Sequence, residues 1–236
     1  MENKSFLDIG CGSGLSSLAA YKMGASSITS VDIDPLNILN TNFLKNKFNV
    51  PETFPWKVKI TSIVSNADVK DLPKSDVVYS WGVLHHTGAM WSAITNTISL
   101  VNPGGLLYLM LYRDAHLARV WKWIKWFYVK SPRILKYLVR NIFAGIQILG
   151  IMCKGKNPLK VIREYGNNGL GMSWYIDSTD WIGGYPFEYA EAEEVISFMT
   201  ESGFQLVKIY PEITAMQLGW KGTGSYQYLF KKSDNK

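Results

Sequence analysis

The sequence predicts an α/β domain in which seven strands form one mostly parallel sheet with helices on both faces. A helical insert separates the fifth strand from the last helix. Three observations carry this reading. Short apolar runs alternate with amphipathic stretches, as a parallel sheet covered on both faces requires. The first run closes in Gly10-Cys11-Gly12-Ser13-Gly14, a small-residue turn from strand to helix. Beyond residue 190 the chain reads helix, strand, strand.

Taken in order, the strands are expected at Ser5–Ile9, Ser27–Asp32, Lys57–Ile60, Asp76–Trp81 and Leu106–Tyr112, with helices at Gly14–Met23, Pro35–Phe48 and Ala89–Val101. Pro35 suits a first helical position, where its missing N–H costs nothing. Asn102-Pro103-Gly104-Gly105 is a stop-and-turn signal. A helix at Glu191–Ser202 and strands at Phe204–Tyr210 and Ser225–Lys231 complete the sheet, and Gly203 falls where a helix C-terminus needs positive φ. The sheet domain is thus residues 1–112 and 190–236, and the insert is 113–189.

Composition narrows the class. A chain of 236 residues can form one α/β domain with an insertion. With 47% hydrophobic and 14% aromatic residues it is globular, not disordered. Cys11 lies in the glycine loop and Cys153 in an apolar run, so a disulfide framework is not expected and a reducing cytosol fits. Three histidines and two scattered cysteines make no metal set, and His116 reads as a surface residue. Met1 to Lys4 lead straight into the first strand, so a signal peptide is not expected. Residues 113–163 hold twelve Lys or Arg against one acid, Asp114, a net of +11, while the rest of the chain is at −5. Such a basic insert attracts phosphate, anionic lipid or nucleic acid.

The loop carries the chemistry. A nicotinamide fingerprint, G-x-G-x-x-G, would place its third glycine at position 15, which is Leu here. Asp8 stands two places before Gly10, poorly placed for an anionic pyrophosphate and well placed for an ammonium group. S-adenosylmethionine (SAM) carries an ammonium and no phosphate. A second carboxylate, Asp32, ends the second strand at about the spacing of a ribose-binding acid, whereas Asp34, just before Pro35, reads as a helix cap.

These residues resemble the class I SAM-dependent methyltransferases, whose D-x-G-x-G-x-G loop corresponds to Asp8–Gly14 and whose V-D-x-[DS]-P corresponds to Val31–Pro35. Asp76–His86 and Val101–Gly105 look like the fourth- and fifth-strand motifs of the quinone-biosynthesis-like (methyltransferase type 11–12) group. Tyr79–His86 together with Asp180–Glu188 looks like a bacterial subfamily often linked to cell-surface glycan genes. The resemblance implies a Rossmann-like fold and SAM as cofactor. It would set Asp8, Gly10, Cys11 and Gly12 against the methionine part, Asp32 against the ribose hydroxyls and Ile33 against adenine. Ser62 and Ile63 fall at an adenine contact, with Ser62 replacing the usual acid, and Ser80 and Trp81 fall beside the sulfonium. The family carries helices before the first strand that help close over the site. Here the strand begins at Ser5, which leaves that cover to a minimal form of the fold, to sequence upstream or to another chain.

Methyl transfer from an activated sulfonium is largely a matter of alignment, with a base useful when the acceptor is a hydroxyl. His85 and His86 follow the fourth strand at the open sheet edge; either both are structural or cap the next turn, or one of them is that base, and then His86 is favoured because its neighbour is expected to pack inward. Asp180 or Tyr185 would complete a proton relay. The run Ser80-Trp81-Gly82-Val83 argues against the N-P-P-Y-like pattern of amino-methylating enzymes and against a cytosine-type Pro-Cys nucleophile. The resulting expectation is an O-methyltransferase acting on a small or lipid-linked hydroxyl, a glycan precursor or a quinol. RNA methylation and non-catalytic SAM binding are the alternatives.

On a helical wheel, Leu117, Val120, Trp121, Ile124, Phe127 and Tyr128 form an apolar stripe, with Arg119, Lys122 and Lys130 opposite and Trp123 and Trp126 among them. Ile134–Cys153 is largely apolar but too interrupted for a comfortable membrane span, and it reads as a cap or interfacial helix. Residues 117–153 therefore serve as a lid or homodimer face, a contact with a membrane surface or lipid-linked substrate, or, less favoured, a nucleic-acid surface. A cytoplasmic location fits, peripheral at the inner membrane surface in the lipid case. Met172–Glu188, with Trp174, Tyr175, Asp177, Asp180, Trp181, Tyr185 and Glu188, reads as a loop turning at Gly183-Gly184 to wall a sugar or quinol pocket, or as an aromatic corner.

Overall fold

The computed structural model of the chain describes residues 1–168, 173–211 and 224–234. It divides into two compact units, Met1–His116 with Glu188–Lys236, and Leu117–Phe187. The first unit is a seven-stranded sheet of β1 (Ser5–Ile9), β2 (Ser27–Asp32), β3 (Trp56–Ile60), β4 (Ser75–Trp81), β5 (Val101–Tyr112), β6 (Phe204–Tyr210) and β7 (Ser225–Lys232), in the order β3-β2-β1-β4-β5-β7-β6. β1 to β5 pair in parallel, and β7 runs antiparallel to both β5 and β6. The helices of this unit are α1 (Leu15–Lys22), α2 (Pro35–Lys47), the short α3 (Asn66–Lys70), α4 (Met90–Ser99) and α9 (Ala192–Glu201).

Strand alternation makes the two hydrophobic layers. Successive β1 residues point to opposite faces. Leu7 joins Val78, Leu107, Ile94 and Val195 in one core, while Phe6 packs with Leu18, Ile28 and Trp56 in the other. Asp34 caps α2, its Oδ1 accepting from Leu36 N at 2.9 Å, so the carboxylate satisfies an N–H that Pro35 leaves at the helix start. α4 has no side-chain cap of its own. Glu188, 98 residues away in sequence, supplies it by accepting from Met90 N at 3.1 and 3.2 Å, and its own N–H donates to the His85 carbonyl at 2.9 Å. Glu188, read from sequence as part of a pocket wall, is thus a cap at a helix N-terminus, where a negative charge is favoured.

β5 departs from expectation by starting at Val101 instead of Leu106. Ser75 pairs with Val101 and Val77 with Leu106, so Asn102–Gly105 bulges from the strand without ending it. Asp76 holds the bulge, accepting from Asn102 Nδ2 at 3.0 Å, and a Cβ on Gly105 would lie 2.8 Å from the Asn102 carbonyl. The same carboxylate accepts from Ser5 N at 2.9 Å and Ser5 Oγ at 2.8 Å, which ties β1 to β4.

The second unit consists of α5 (Ala118–Lys130), α6 (Arg133–Cys153), α7 (Pro158–Asn168) and α8 (Trp174–Gly183). Two sequence readings are corrected here. The inward stripe of α5 is Ala118, Trp121, Lys125 and Tyr128, while Leu117, Val120 and Phe127 are exposed. The cause is aromatic packing. Trp121 meets the Trp181 ring edge-on at 4.4 Å, Phe143 of α6 stacks on Trp181 at 5.2 Å, and this turns Lys125 inward. The Lys125 ammonium donates to the Trp181 carbonyl over the Trp181 and Phe187 rings, and burial pulls its pKa down to about 7. The stretch read as a loop is helical over α8, with Ser173 Oγ accepting from Ile176 N at 3.3 Å. Met172, where that reading began, lies outside the described residues.

The three bonds to Asp76 hold its carboxyl below the usual carboxylate range. Their contribution is present at neutral pH and lost as pH falls through the depressed pKa. Asp76→Ala is expected to lower unfolding stability by about 1–3 kcal/mol at pH 7 in denaturant titration. The difference from the parent should shrink toward acid, because protonation removes the same bonds.

Candidate functional site

β1, β2, β3 and β4 end on one side of the sheet, and strand order reverses between β1 and β4. In open α/β sheets that reversal leaves a crevice beyond the strand carboxyl ends, where ligands bind. Here it is a cavity of about 310 Å³ within the first unit. All four strand ends line it: Ile9 and Gly10, Val31 to Ile33, Thr61 to Val64, and Gly82, Val83, His86 and Thr87. The volume suits a small molecule.

The three loop glycines have different reasons to be glycine. All have positive φ, which any side chain would strain. A Cβ on Gly10 would meet Val83 Cγ2 at 2.2 Å, and one on Gly14 would meet Thr41 at 2.8 Å. Gly12 has no atom within 4 Å of that position, so its face is open to an approaching group. The loop is pinned by Asp32, whose Oδ2 accepts from Gly12 N at 3.0 Å while Oδ1 accepts from Asp34 N at 2.9 Å. Asp32 still faces the cavity.

Of the residues singled out by sequence, Gly10, Asp32, Ile33, Ser62, Ile63 and His86 are brought together on this lining. Ile33 is 70% exposed there, an apolar side chain with a face available to a ligand. Asp8 lies beneath the loop at 2% exposure, accepting from Ser17 Oγ at 2.6 Å, and burial holds its carboxyl up at about 6. Cys11 is buried with Sγ 3.5 Å from Thr41 Oγ1, and desolvation pushes its thiol up to about 12, so it is a neutral packing residue. The Ser80 hydroxyl donates to the Ile9 carbonyl at 3.2 Å, and Trp81 is 36% exposed; neither lines the cavity. His85 and His86 form a 3-10 turn, Leu84–His86. Their ring centroids are 4.4 Å apart and both rings lie against Tyr112, the fully buried His85 at 4.0 Å and His86 edge-on at 5.4 Å, and of the two only His86 lines the cavity. Asp180, exposed on α8, and Tyr185, half-buried beyond it, belong to the second unit.

Sequence reasoning missed Thr61, Val64, Val83 and Thr87. It also missed Asp68 of α3, whose Oδ2 accepts from Ser62 N at 3.2 Å and so brings a carboxylate to the place where Ser62 replaces the expected acid. Only the fold of the β3–α3 connection juxtaposes residues six apart in this way. Among the described residues no group of three His, Cys, Asp or Glu is gathered as a metal site.

A family model described as a methyltransferase domain matches residues 1–142. The chain belongs to this methyltransferase family. The ribosomal protein L11 methyltransferase of Azotobacter vinelandii is 34% identical over 113 residues, which cover 46% of this chain and 34% of that protein. The chain thus matches a minor part of its curated relative's length. A SAM-dependent methyltransferase structure from Methanosarcina mazei superposes with a TM-score of 0.55 at 16% identity, covering 99% of this chain and 94% of the other. Magnesium protoporphyrin IX methyltransferase from Synechocystis PCC 6803, with bound S-adenosylhomocysteine, gives 0.54 at 14% identity, covering 98% and 75%. These likenesses show the shared Rossmann-like fold.

The cofactor of the methyltransferase is SAM, and the residues present fit it. Among the described residues, the titratable side chains on the lining are one carboxylate, Asp32, and one imidazole, His86. Asp32, with further acceptor capacity, can hold ribose hydroxyls, and the exposed Ile33 can cover a base.

Cys153 is exposed and Cys11 is not. A thiol-exchange reagent on the native methyltransferase should therefore titrate one cysteine rapidly, and Cys153→Ser should abolish that fast phase. Two fast thiols would mean that the glycine loop is open.

Proposed function

We propose that the methyltransferase transfers the methyl group of SAM to a hydroxyl of a small or lipid-linked acceptor, a glycan precursor or a quinol. The observation that supports this best is His86, a titratable imidazole on the same cavity lining as Asp32 and Ile33, at the carboxyl end of β4. A hydroxyl is a weak nucleophile until its proton is taken, and an imidazole is the side chain suited to take it near neutral pH. His85 is the lesser choice, because its ring is fully buried and does not line the cavity.

Bound SAM supplies an already activated methyl group, so the protein's work is positioning and proton removal. Asp32 and Ile33 orient the nucleoside part, and the buried Asp8 carboxylate beneath the loop favours the ammonium end through low-dielectric protein. His86 accepts the acceptor's proton. A cytoplasmic setting, at or near the inner membrane surface, fits a lipid-linked acceptor. The relative named for ribosomal protein L11 and the net +11 insert favour a second reading, a macromolecular acceptor such as RNA or a ribosomal protein.

Transfer of labelled methyl from SAM to a panel of sugar and quinol hydroxyls tests the proposal. His86→Asn should lower kcat by about 10²–10⁴-fold with SAM affinity retained, and the loss should diminish at high pH, where hydroxyls ionise unaided. Label appearing in RNA or ribosomal protein and not in any hydroxyl acceptor would establish the second reading.

A further inference from the structure

The second unit carries a surface that the cofactor site does not explain. α6 has 21 residues and a mean hydropathy of 1.4 over its most apolar window, with none of that window buried. Ile134, Leu138, Ile142, Ile146 and Leu149 recur at helical spacing and are each about half to three-quarters exposed, which makes one apolar stripe along the helix. At about 1.5 Å per residue the stripe is some 20 Å long. It is bounded at both ends by exposed cations, Lys130 and Arg133 at the start and Lys154 and Lys156 after the end. A contiguous apolar face of this kind on a soluble surface marks an interaction site.

We propose that α6 is an in-plane membrane anchor, its apolar stripe seated at the boundary between headgroups and acyl chains of an anionic bilayer. The opposite face of α6 is occupied, which argues for lying on the membrane and against crossing it. There, Phe143 stacks on Trp181, Gln147 Oε1 accepts from Ser178 Oγ at 2.8 Å, and Arg140 lies over the Tyr175 ring at 4.7 Å. A helix with one face committed to protein and the other apolar suits an interface. Charge selects the occupant. The +11 of residues 113–163 complements anionic headgroups, whereas a second copy of the chain would bring the same positive field against itself. RNA would match the charge but leave the isoleucines in water. α5 adds Trp123 and Trp126, both exposed and packed edge-to-face at 5.6 Å, a residue type enriched at membrane–water interfaces. This surface is independent of the acceptor that the cofactor cavity serves.

The test is co-sedimentation of the full chain with phosphatidylcholine vesicles, with and without a phosphatidylglycerol fraction, at low and high salt. The chain should bind the anionic vesicles, more weakly at high salt, and release on alkaline carbonate washing. The double variant Ile142→Glu/Ile146→Glu should reduce vesicle binding at least about tenfold with circular dichroism and melting temperature unchanged, since both side chains are exposed. Lys154→Glu/Lys156→Glu should weaken binding to anionic vesicles alone. Absence of vesicle binding overturns the proposal. So does retention after carbonate washing, which would mean a spanning helix, and so does a concentration-dependent dimer in sedimentation equilibrium that Ile142→Glu/Ile146→Glu dissolves.

Discussion

The Asp32 carboxylate is the constraint on which the site depends. It stands at the carboxyl end of β2 and accepts from Gly12 N in the loop and from Asp34 N at the threshold of α2. One side chain therefore fixes the loop against the neighbouring strand while facing the cavity. Charge-assisted bonds of this kind are stronger than neutral ones, and a loop held by them needs no ordering when a ligand arrives. Val83 pressed against Gly10 and Thr41 pressed against Gly14 close the remaining freedom, which leaves Gly12 as the open position.

The second organising fact is where the sheet reverses. β1 and β4 are neighbours in space and 66 residues apart from Ile9 to Ser75, and between them the chain has built β2 and β3 to one side. Four strand ends thereby converge, bringing His86 to the lining that already holds Asp32. Glu188 reinforces that corner from the far end of the sequence, capping α4 and bonding the His85 carbonyl. The short turn bearing both histidines is thus tied at the His85 carbonyl and at the start of the helix that follows it.

The sheet was largely legible because its signals are local. The short apolar runs, Pro35 after Asp34 and the glycine loop each act within a few residues, and all reappear in the structure. The start of β5 was not, because the turn signal Asn102–Gly105 is absorbed as a bulge by Asp76, a partner 26 residues away. The inward face of α5 was illegible for a related reason. A wheel ranks residues by polarity and so left Lys125 out of the inward stripe, whereas aromatic stacking around Trp181 buries its stem and gives its ammonium a carbonyl and two rings. Asp68, Val83 and Thr87 at the site depend on loop geometry that carries no periodic signature.

The central claim is that Asp32 and the loop it holds form the SAM site of this methyltransferase, and isothermal titration of the purified chain with SAM tests it most directly. The account predicts one-to-one binding by the intact chain and a loss of at least about 100-fold in affinity for Asp32→Ala, because both the loop anchor and the ribose contact go together. Equal affinity in a folded Asp32→Ala protein, or no binding by the intact chain, would contradict it.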